Sequence, residues 1–335
     1  MKAWQLISNT GPESLQIADI ATSEPTFGEV LVRVRANSLN YRDLMVCDGR
    51  YGKTALPLVP LSDGAGEITA LGPGVSRWKI GDRVAVTFFK DWLSGPFRRR
   101  VLEGARGGAI SGMLSEYVTV PEDNLISIPS HLSFEEAATL PCAAVTAWQA
   151  LVTHGHISAN QTVLILGTGG VSMFALQFAK MHGARVIVTS SSDEKLVKAR
   201  ELGADEFINY KTTPEWDAEV FKLTAKAGAD HIIEVGGTHT FPKSLRAAAV
   251  CGTLSVIGGV SGFSSEAPLR EMLTKMLTIR GIFVGNWDMF EAMTQALAHH
   301  KTKPVIDRVF SFNDAPAAYA YQANGAHFGK VVISH

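Results

Sequence analysis

Six apolar β-type runs, "TVLIL", "RVIVT", "EFINY", "DHIIEV", "GTLSVIG" and "LTIRGIF", follow one another between residues 162 and 283. Helical segments such as "VSMFALQFAKMHG", "DEKLVKARELG" and "PEWDAEVFKLTAKAG" lie between them, the first two closing on Gly183 and Gly203. Glycine at those places is a helix stop. Strands that alternate with helices predict an α/β fold built on a parallel, doubly wound, six-stranded sheet. The first strand runs into "LGTGGVS": it stops at Gly167, Gly169 and Gly170 form the turn, and a helix begins near Val171. Without Cβ atoms the backbone can approach a phosphate closely, and a helix N-terminus offers free N–H groups and partial positive charge. The strand–glycine–helix context marks Thr168, Gly169, Gly170 and Val171 as candidate contacts to the pyrophosphate of a dinucleotide. Ser172 replaces the usual third glycine and is small enough for the helix to pack near the strand.

The ribose end is read from the close of the second strand, "VIVTSSSDEK", where a carboxylate would grip the 2′-hydroxyl of NAD. Thr189, Ser190 and Ser191 stand there instead, and Asp193 and Glu194 are expected to open the next helix. Hydroxyls with Lys195 nearby welcome a 2′-phosphate, so NADPH is the expected cofactor; an ordinary cap and an exposed helical lysine would look the same. Gly258 and Gly259 after "LSVI", and Val284 with Gly285 after "RGIF", are expected at strand ends on the ligand side of the sheet, where the nicotinamide should pass.

The rest of the chain has another character. With 335 residues it suits two domains. Residues 1–124 read as an irregular, mostly β domain, since "VLVRVRA" and "DRVAVTF" alternate with the turn signals "FGE", "SDGAG", "GPG" and "IGD". Residues 89–108 are polar and aperiodic and predict a loop, with Arg98, Arg99 and Arg100 on a solvated face. Residues 125–287 form the α/β domain, and strand character returns in 288–335, a tail expected to complete the first domain. Charge is balanced, with Lys plus Arg at 31 against 32 for Asp plus Glu, which disfavours nucleic acid and anionic membranes as partners and favours a small-molecule substrate. No apolar stretch reaches the roughly 20 residues that span a bilayer. The start, "MKAWQLISNTGPESLQI", lacks the continuous apolar stretch of a secretory signal, so cytoplasmic residence is the default expectation. Cys47, Cys142 and Cys251 are scattered and odd in number, which predicts reduced thiols.

The segments "GTGGVSMFALQFAK", "SSSDEKLVKARELGADEFINY", "LNYRDLM" and "GAHFGKVVI", taken in order, resemble the medium-chain dehydrogenase/reductase superfamily, specifically its quinone oxidoreductase-like and zinc-free alcohol dehydrogenase-like members. The resemblance extends over essentially the whole chain. It implies a GroES-like β domain joined to a Rossmann domain, an active site in the cleft between them, and a homodimer. Zinc-dependent relatives hold a catalytic metal with a Cys of a "CxxDL" segment, a His of a "GHExxG" segment and a later Cys. The corresponding residues here are Asn40 in "LNYRDL", Ser62 in "LSDGAG" and Cys142 in "LPCAAVTAW". A catalytic zinc needs three protein ligands, and one thiol, even beside Asp63, is a poor site. Residues 89–112, where many zinc relatives carry a four-cysteine lobe, contain no cysteine.

The resemblance further implies that Asn40 and Tyr51 face the substrate near the nicotinamide, with Asn40 also touching the cofactor. Thr146 would lie at the nicotinamide end, Tyr210 near the adenine or the 2′-phosphate, and Lys330 near the cofactor. Asp43 is expected to brace its loop, and Cys142 to be a small apolar residue. Without a Lewis acid, simple alcohols lose their main assistance, whereas a quinone or enone spreads the incoming charge over its own π-system. The expected activity is therefore zinc-independent, NADPH-dependent hydride transfer to a quinone or an α,β-unsaturated carbonyl. An alcohol or aldehyde dehydrogenase-like enzyme and a catalytically silent NADPH-binding protein are the rivals.

Overall fold

A computed structural model describes residues 1–52 and 54–335. The chain forms two compact units, one from residues 1–145 and 284–335, the other from 146–283. The first segment contributes β1 (Lys2–Leu6), β2 (Leu15–Asp19), β3 (Glu29–Ser38), α1 (Tyr41–Cys47), β4 (Asp63–Leu71), β5 (Arg83–Val86), β6 (Tyr117–Pro121), β7 (Leu125–Ser127) and α2 (Phe134–Ala138). In β3 the residues of "EVLVRVRANS" alternate, so Val30, Val32 and Val34 reach the core while Arg33 faces outward. They meet Ile68, Val84, Val86, Met113, Val120 and Leu125.

A short helix, α3 (Val145–Trp148), leads into the second unit. Its elements are β8 (Thr162–Leu166), α4 (Gly170–Met181), β9 (Arg185–Ser190), α5 (Asp193–Glu201), β10 (Glu206–Asn209), α6 (Trp216–Leu223), β11 (Ala229–Glu234), α7 (Phe241–Ala247), β12 (Ala248–Val256), α8 (Leu269–Thr274) and β13 (Thr278–Gly281). They build a six-stranded parallel sheet in the order β10-β9-β8-β11-β12-β13. Every residue of β8 is buried, as a central strand covered on both faces requires. The order reverses beside β8, and the carboxyl ends of strands at such a reversal are where a doubly wound sheet binds its ligand.

The chain then returns to the first unit through α9 (Trp287–His300), β14 (Ile306–Ser311), α10 (Ala315–Ala323) and β15 (Lys330–Ser334). The larger sheet of that unit runs β14-β15-β3-β4-β5-β7, with β6 also on β3. This is the GroES-like partner of a Rossmann unit.

Three details differ from the expectations. The units divide after Val145 and Phe283, whereas the sequence places the boundaries at 124/125 and 287/288. The reason is that β7 pairs with β5 and α2 lies over β3 and β4, so residues 125–145 pack with the β-rich unit. Residues 89–108 are irregular but only partly solvated: Arg98, Arg99 and Arg100 are exposed, while Phe89, Trp92, Val101 and Ala105 are buried together. Val284 is not a strand-end residue, because β13 stops at Gly281. It joins the Phe89–Trp92 cluster beside Cys142, with φ at +57°, a costly conformation for a β-branched residue.

Candidate active site

In the second unit the turn after β8 has the shape a phosphate needs. Gly167 takes φ +72°, which swings the chain from strand toward helix, and Gly169 is the N-cap of the twelve-residue helix α4. A Cβ placed on Gly167 or Gly169 would meet no protein atom within 4 Å, so the space in front of the turn is open. Ser172 explains the missing third glycine: its hydroxyl donates to the Leu166 carbonyl at 2.8 Å and ties the helix to the strand end. Thr168 is buried in the turn, Gly170 opens α4, and Val171 follows on its first turn.

At the neighbouring corner Ser191 follows the end of β9, Ser192 caps α5 by accepting from the Lys195 backbone N–H, and Tyr210 donates its backbone N–H to Ser190 O at 3.0 Å. Ser191, Lys195 and Tyr210 thus share one corner at the carboxyl ends of β9 and β10. The first carboxylate, Asp193, accepts from Asn209 Nδ2 at 2.7 Å and lies within α5. Gly258 follows β12, and a Cβ placed on it would come within 3.0 Å of Val235 O. Thr146 is buried at the start of this unit.

Sequence reasoning missed Glu234. It ends β11, is fully buried, and accepts from the N–H groups of Gly236 and Gly237 at 2.7 and 3.0 Å, from Thr240 Oγ1 at 2.6 Å and from Ser244 Oγ at 2.5 Å. Three of these donors hold the "VGGTHT" loop, and the fourth holds α7, against the sheet at the ligand end. An acid at a strand end followed by two glycines was the available signal.

In the first unit three strands bring a buried polar cluster together. β15 pairs with β3 at Val332↔Ser38, so the register carried on past the strand end sets Lys330 opposite Asn40, and β3 pairs with β4 at Ser38↔Asp63. Asn40 is the N-cap of α1, and its N–H donates to Asp43 Oδ2 at 2.7 Å. Its side-chain oxygen accepts from Lys330 Nζ at 2.6 Å; the same ammonium donates to Leu39 O at 2.6 Å and lies 3.9 Å from Asp63 Oδ2. Ser62 Oγ donates to the other Asp63 oxygen at 2.7 Å. Beside them Arg42 Nη1 reaches Asp43 Oδ1 and the carbonyls of Arg106 and Gly107. Its guanidinium is sandwiched by Tyr51 and Phe88, with ring centroids 4.5 and 5.1 Å away. Tyr51 is thereby anchored on a buried cation, and Lys330 is not an exposed strand-start lysine but 3% exposed.

Burial sets the electrostatics. It pushes the Asp43 carboxyl up to about 6, against the pull of Arg42 and with a push from Asp63. Asp63 rises for the same reason, restrained chiefly by Lys330, and burial lowers Lys330 against Asp63. Burial drives the Cys142 thiol far above its ordinary range, with Asp63 adding to the effect. The Tyr51 phenol is also raised by burial, against the pull of Arg42.

A zinc ion would need three nitrogen, sulfur or carboxylate donors converging on one point. Among the described residues no group of three His, Cys, Asp or Glu side chains is placed to hold a metal. The residues present do not fit that ion: one donor position is an amide bonded to lysine and another a serine bonded to Asp63, so only the thiol of Cys142 is left. Cys47, Cys142 and Cys251 form no disulfide among the described residues.

An open glycine turn at the reversal of a doubly wound sheet, with a β-rich unit carrying buried polar side chains, defines a dinucleotide-dependent oxidoreductase. The sequence matches the Zinc-binding dehydrogenase family over residues 170–299 and the Alcohol dehydrogenase GroES-like domain over residues 26–130. A zinc-type alcohol dehydrogenase-like protein of Schizosaccharomyces pombe is 46% identical over 313 residues, 91% of this chain and 90% of that one. The crystal structure of an NAD-dependent alcohol dehydrogenase is 35% identical with a TM-score of 0.90 over 100% of both chains. A quinone oxidoreductase from Pseudomonas syringae is 28% identical with a TM-score of 0.85, over 100% of this chain and 99% of that one. The chain belongs to the alcohol dehydrogenase-like medium-chain dehydrogenase/reductase superfamily, whose members here include quinone oxidoreductases. None of the described helices is long and apolar enough to cross a membrane.

Proposed function

We propose that this oxidoreductase uses NADPH, without zinc, to reduce a quinone or an α,β-unsaturated carbonyl, as a homodimer in the cytoplasm, where its three thiols stay reduced. The observation that carries this reading is the donor set: Asn40 and Ser62 are bonded to a lysine and a carboxyl, which leaves Cys142 as one thiol in place of three metal ligands. Unassisted by a Lewis acid, the acceptor has to delocalise the new charge itself. When bound, the reduced nicotinamide supplies the hydride. The protein's part is to hold the acceptor and provide a proton. Tyr51, kept protonated by burial, donates a hydrogen bond to the acceptor oxygen; Arg42 beneath its ring offsets the charge if that proton is given up. Asn40, locked by Lys330 and its capping bond, offers an oriented amide. Alcohol dehydrogenase activity is the second reading, favoured by the zinc-type and NAD-dependent relatives.

An NADPH-consumption assay with a quinone, an enone, an enoyl-CoA and a simple aldehyde separates the two. A conjugated acceptor is expected to exceed the aldehyde in kcat/KM, and aldehyde turnover that a chelator abolishes would overturn the proposal. In the same assay NADPH is expected to surpass NADH by about tenfold or more, roughly 1.4 kcal/mol. Ser191→Asp, which sets a carboxylate where the 2′-phosphate would lie, should reverse that order; an unchanged ratio would refute the assignment of this corner.

The homodimer rests on the edge of the six-stranded sheet. β13 is an edge strand, and Val260, Phe263, Leu269, Leu273 and Met276 around it are exposed. A free edge beside apolar side chains invites a second copy related by a two-fold axis. Light scattering should give twice the chain mass, and Leu273→Glu should return it to the single-chain value; a wild-type monomer would dismiss this edge as an interface.

A further inference from the structure

We propose that the Lys330 ammonium is the cation around which the buried polar cluster of the β-rich unit is built, a tethered replacement for a metal ion that keeps divalent cations out. Four observations lead there. First, Nζ makes two 2.6 Å hydrogen bonds, to Leu39 O and Asn40 Oδ1, and its nearest carboxylate oxygen, Asp63 Oδ2, is 3.9 Å away. Oxygen donors on several sides of a desolvated positive charge are what a cation site consists of.

Second, the side chains at two of the three positions that hold zinc in metal-dependent relatives are bonded into this arrangement. Asn40 accepts from the ammonium, and Ser62 donates to the carboxyl that faces it. The Lys330 head group thus occupies the Asn40 donor itself, and its neighbour Asp63 occupies Ser62. Third, the charges already balance. Two buried cations, Arg42 and Lys330, face two buried carboxyls, Asp43 and Asp63. A divalent ion entering this set would leave uncompensated positive charge in a desolvated interior.

Fourth, the placement is built into the backbone. The pairing of β15 with β3 and of β3 with β4 delivers Lys330, Asn40 and Asp63 to one point from three adjacent strands. Asn40 Nδ2 and Asp63 Oδ2 have no regular hydrogen-bond partner although both atoms are buried, yet the amide still lowers the proton affinity of the carboxyl. The ammonium thus bonds the Asn40 amide oxygen and faces the Asp63 carboxyl at once.

The test uses the full-length chain. Thermal unfolding is measured for wild type, Lys330→Met, Asp63→Asn and the double variant, and each is also loaded with cobalt(II), desalted and read for metal content and thiolate-to-cobalt absorption. Each single variant is expected to lower the melting temperature by leaving one charge uncompensated, and the double variant to recover most of the loss caused by Lys330→Met. If Lys330→Met fails to fold, a folded double variant reports the same compensation. The wild type is expected to retain no stoichiometric cobalt. A double variant whose loss equals the sum of the singles, or that fails to fold, overturns the proposal. So does a wild type that keeps one cobalt with an absorption band removed by Cys142→Ser. No readout uses turnover, so failure here is distinct from failure of the reductase assay.

Discussion

Gly169→Val is expected to leave the protein folded and to weaken dinucleotide binding by roughly a hundredfold, about 3 kcal/mol. The two effects separate because of where the glycine sits. Its φ of −78° and ψ of −172° are open to any L-residue, and a Cβ there meets no protein atom within 4 Å. Valine at an N-cap costs on the order of 1 kcal/mol, too little to unfold the unit. The branched side chain would instead fill the open space in front of the α4 N-terminus, where pyrophosphate oxygens have to meet the first free N–H groups. Titration of NADPH fluorescence alongside thermal melting reads both quantities. A variant that melts like the wild type and binds NADPH equally well would show that the phosphate lies elsewhere.

The second large effect is on stability. Arg42→Met keeps most of the side-chain volume between Tyr51 and Phe88 but removes the guanidinium that faces Asp43 at 3.1 Å. Breaking a buried pair from one side costs roughly 3 kcal/mol, about 4 °C in melting temperature for a chain of this size. The loss depends on pH, with a sign that follows from the raised Asp43 carboxyl. A carboxyl lifted from 3.8 to about 6 contributes stability that is fully present below the lower value and lost as pH rises through the upper one. Arg42 lowers that carboxyl, so deleting it lifts the folded-state value further and widens the window. The gap between wild type and Arg42→Met should therefore be small at about pH 4.5, where Asp43 is protonated in both, and large at about pH 7.5. Equal gaps at the two pH values would mean that the guanidinium acts through packing alone.

What could be read ahead of the structure was local. The strand, glycine turn and helix at 162–181, the absence of a carboxylate after β9 and the opening of α5 at Asp193 all depend on residues within a few positions of one another. What escaped depends on partners far apart in the chain. Lys330 meets Asn40 across 290 residues, and Arg42 meets the carbonyl of Arg106 across 64. Nothing in "FGKVV" distinguishes a lysine that points to water from one buried between two strands. Residues 89–108 are the expected loop with an exposed arginine triplet, but Phe89, Trp92 and Val101 lie at no regular period and find their core only in three dimensions. The boundary expected at 124/125 failed similarly, because β7 takes its place through pairing with β5.

The position of β15 carries a consequence for how the molecule is made. This strand lies between β14 and β3, so the β-rich unit receives an interior strand from residues 330–334, long after β3 has been synthesised. The whole α/β unit, residues 146–283, emerges in the interval with every strand of its own sheet already present. During synthesis on the ribosome the later-encoded unit can thus reach its folded state first, while the earlier one waits with a gap in its sheet and with Asn40 and Asp63 lacking their ammonium.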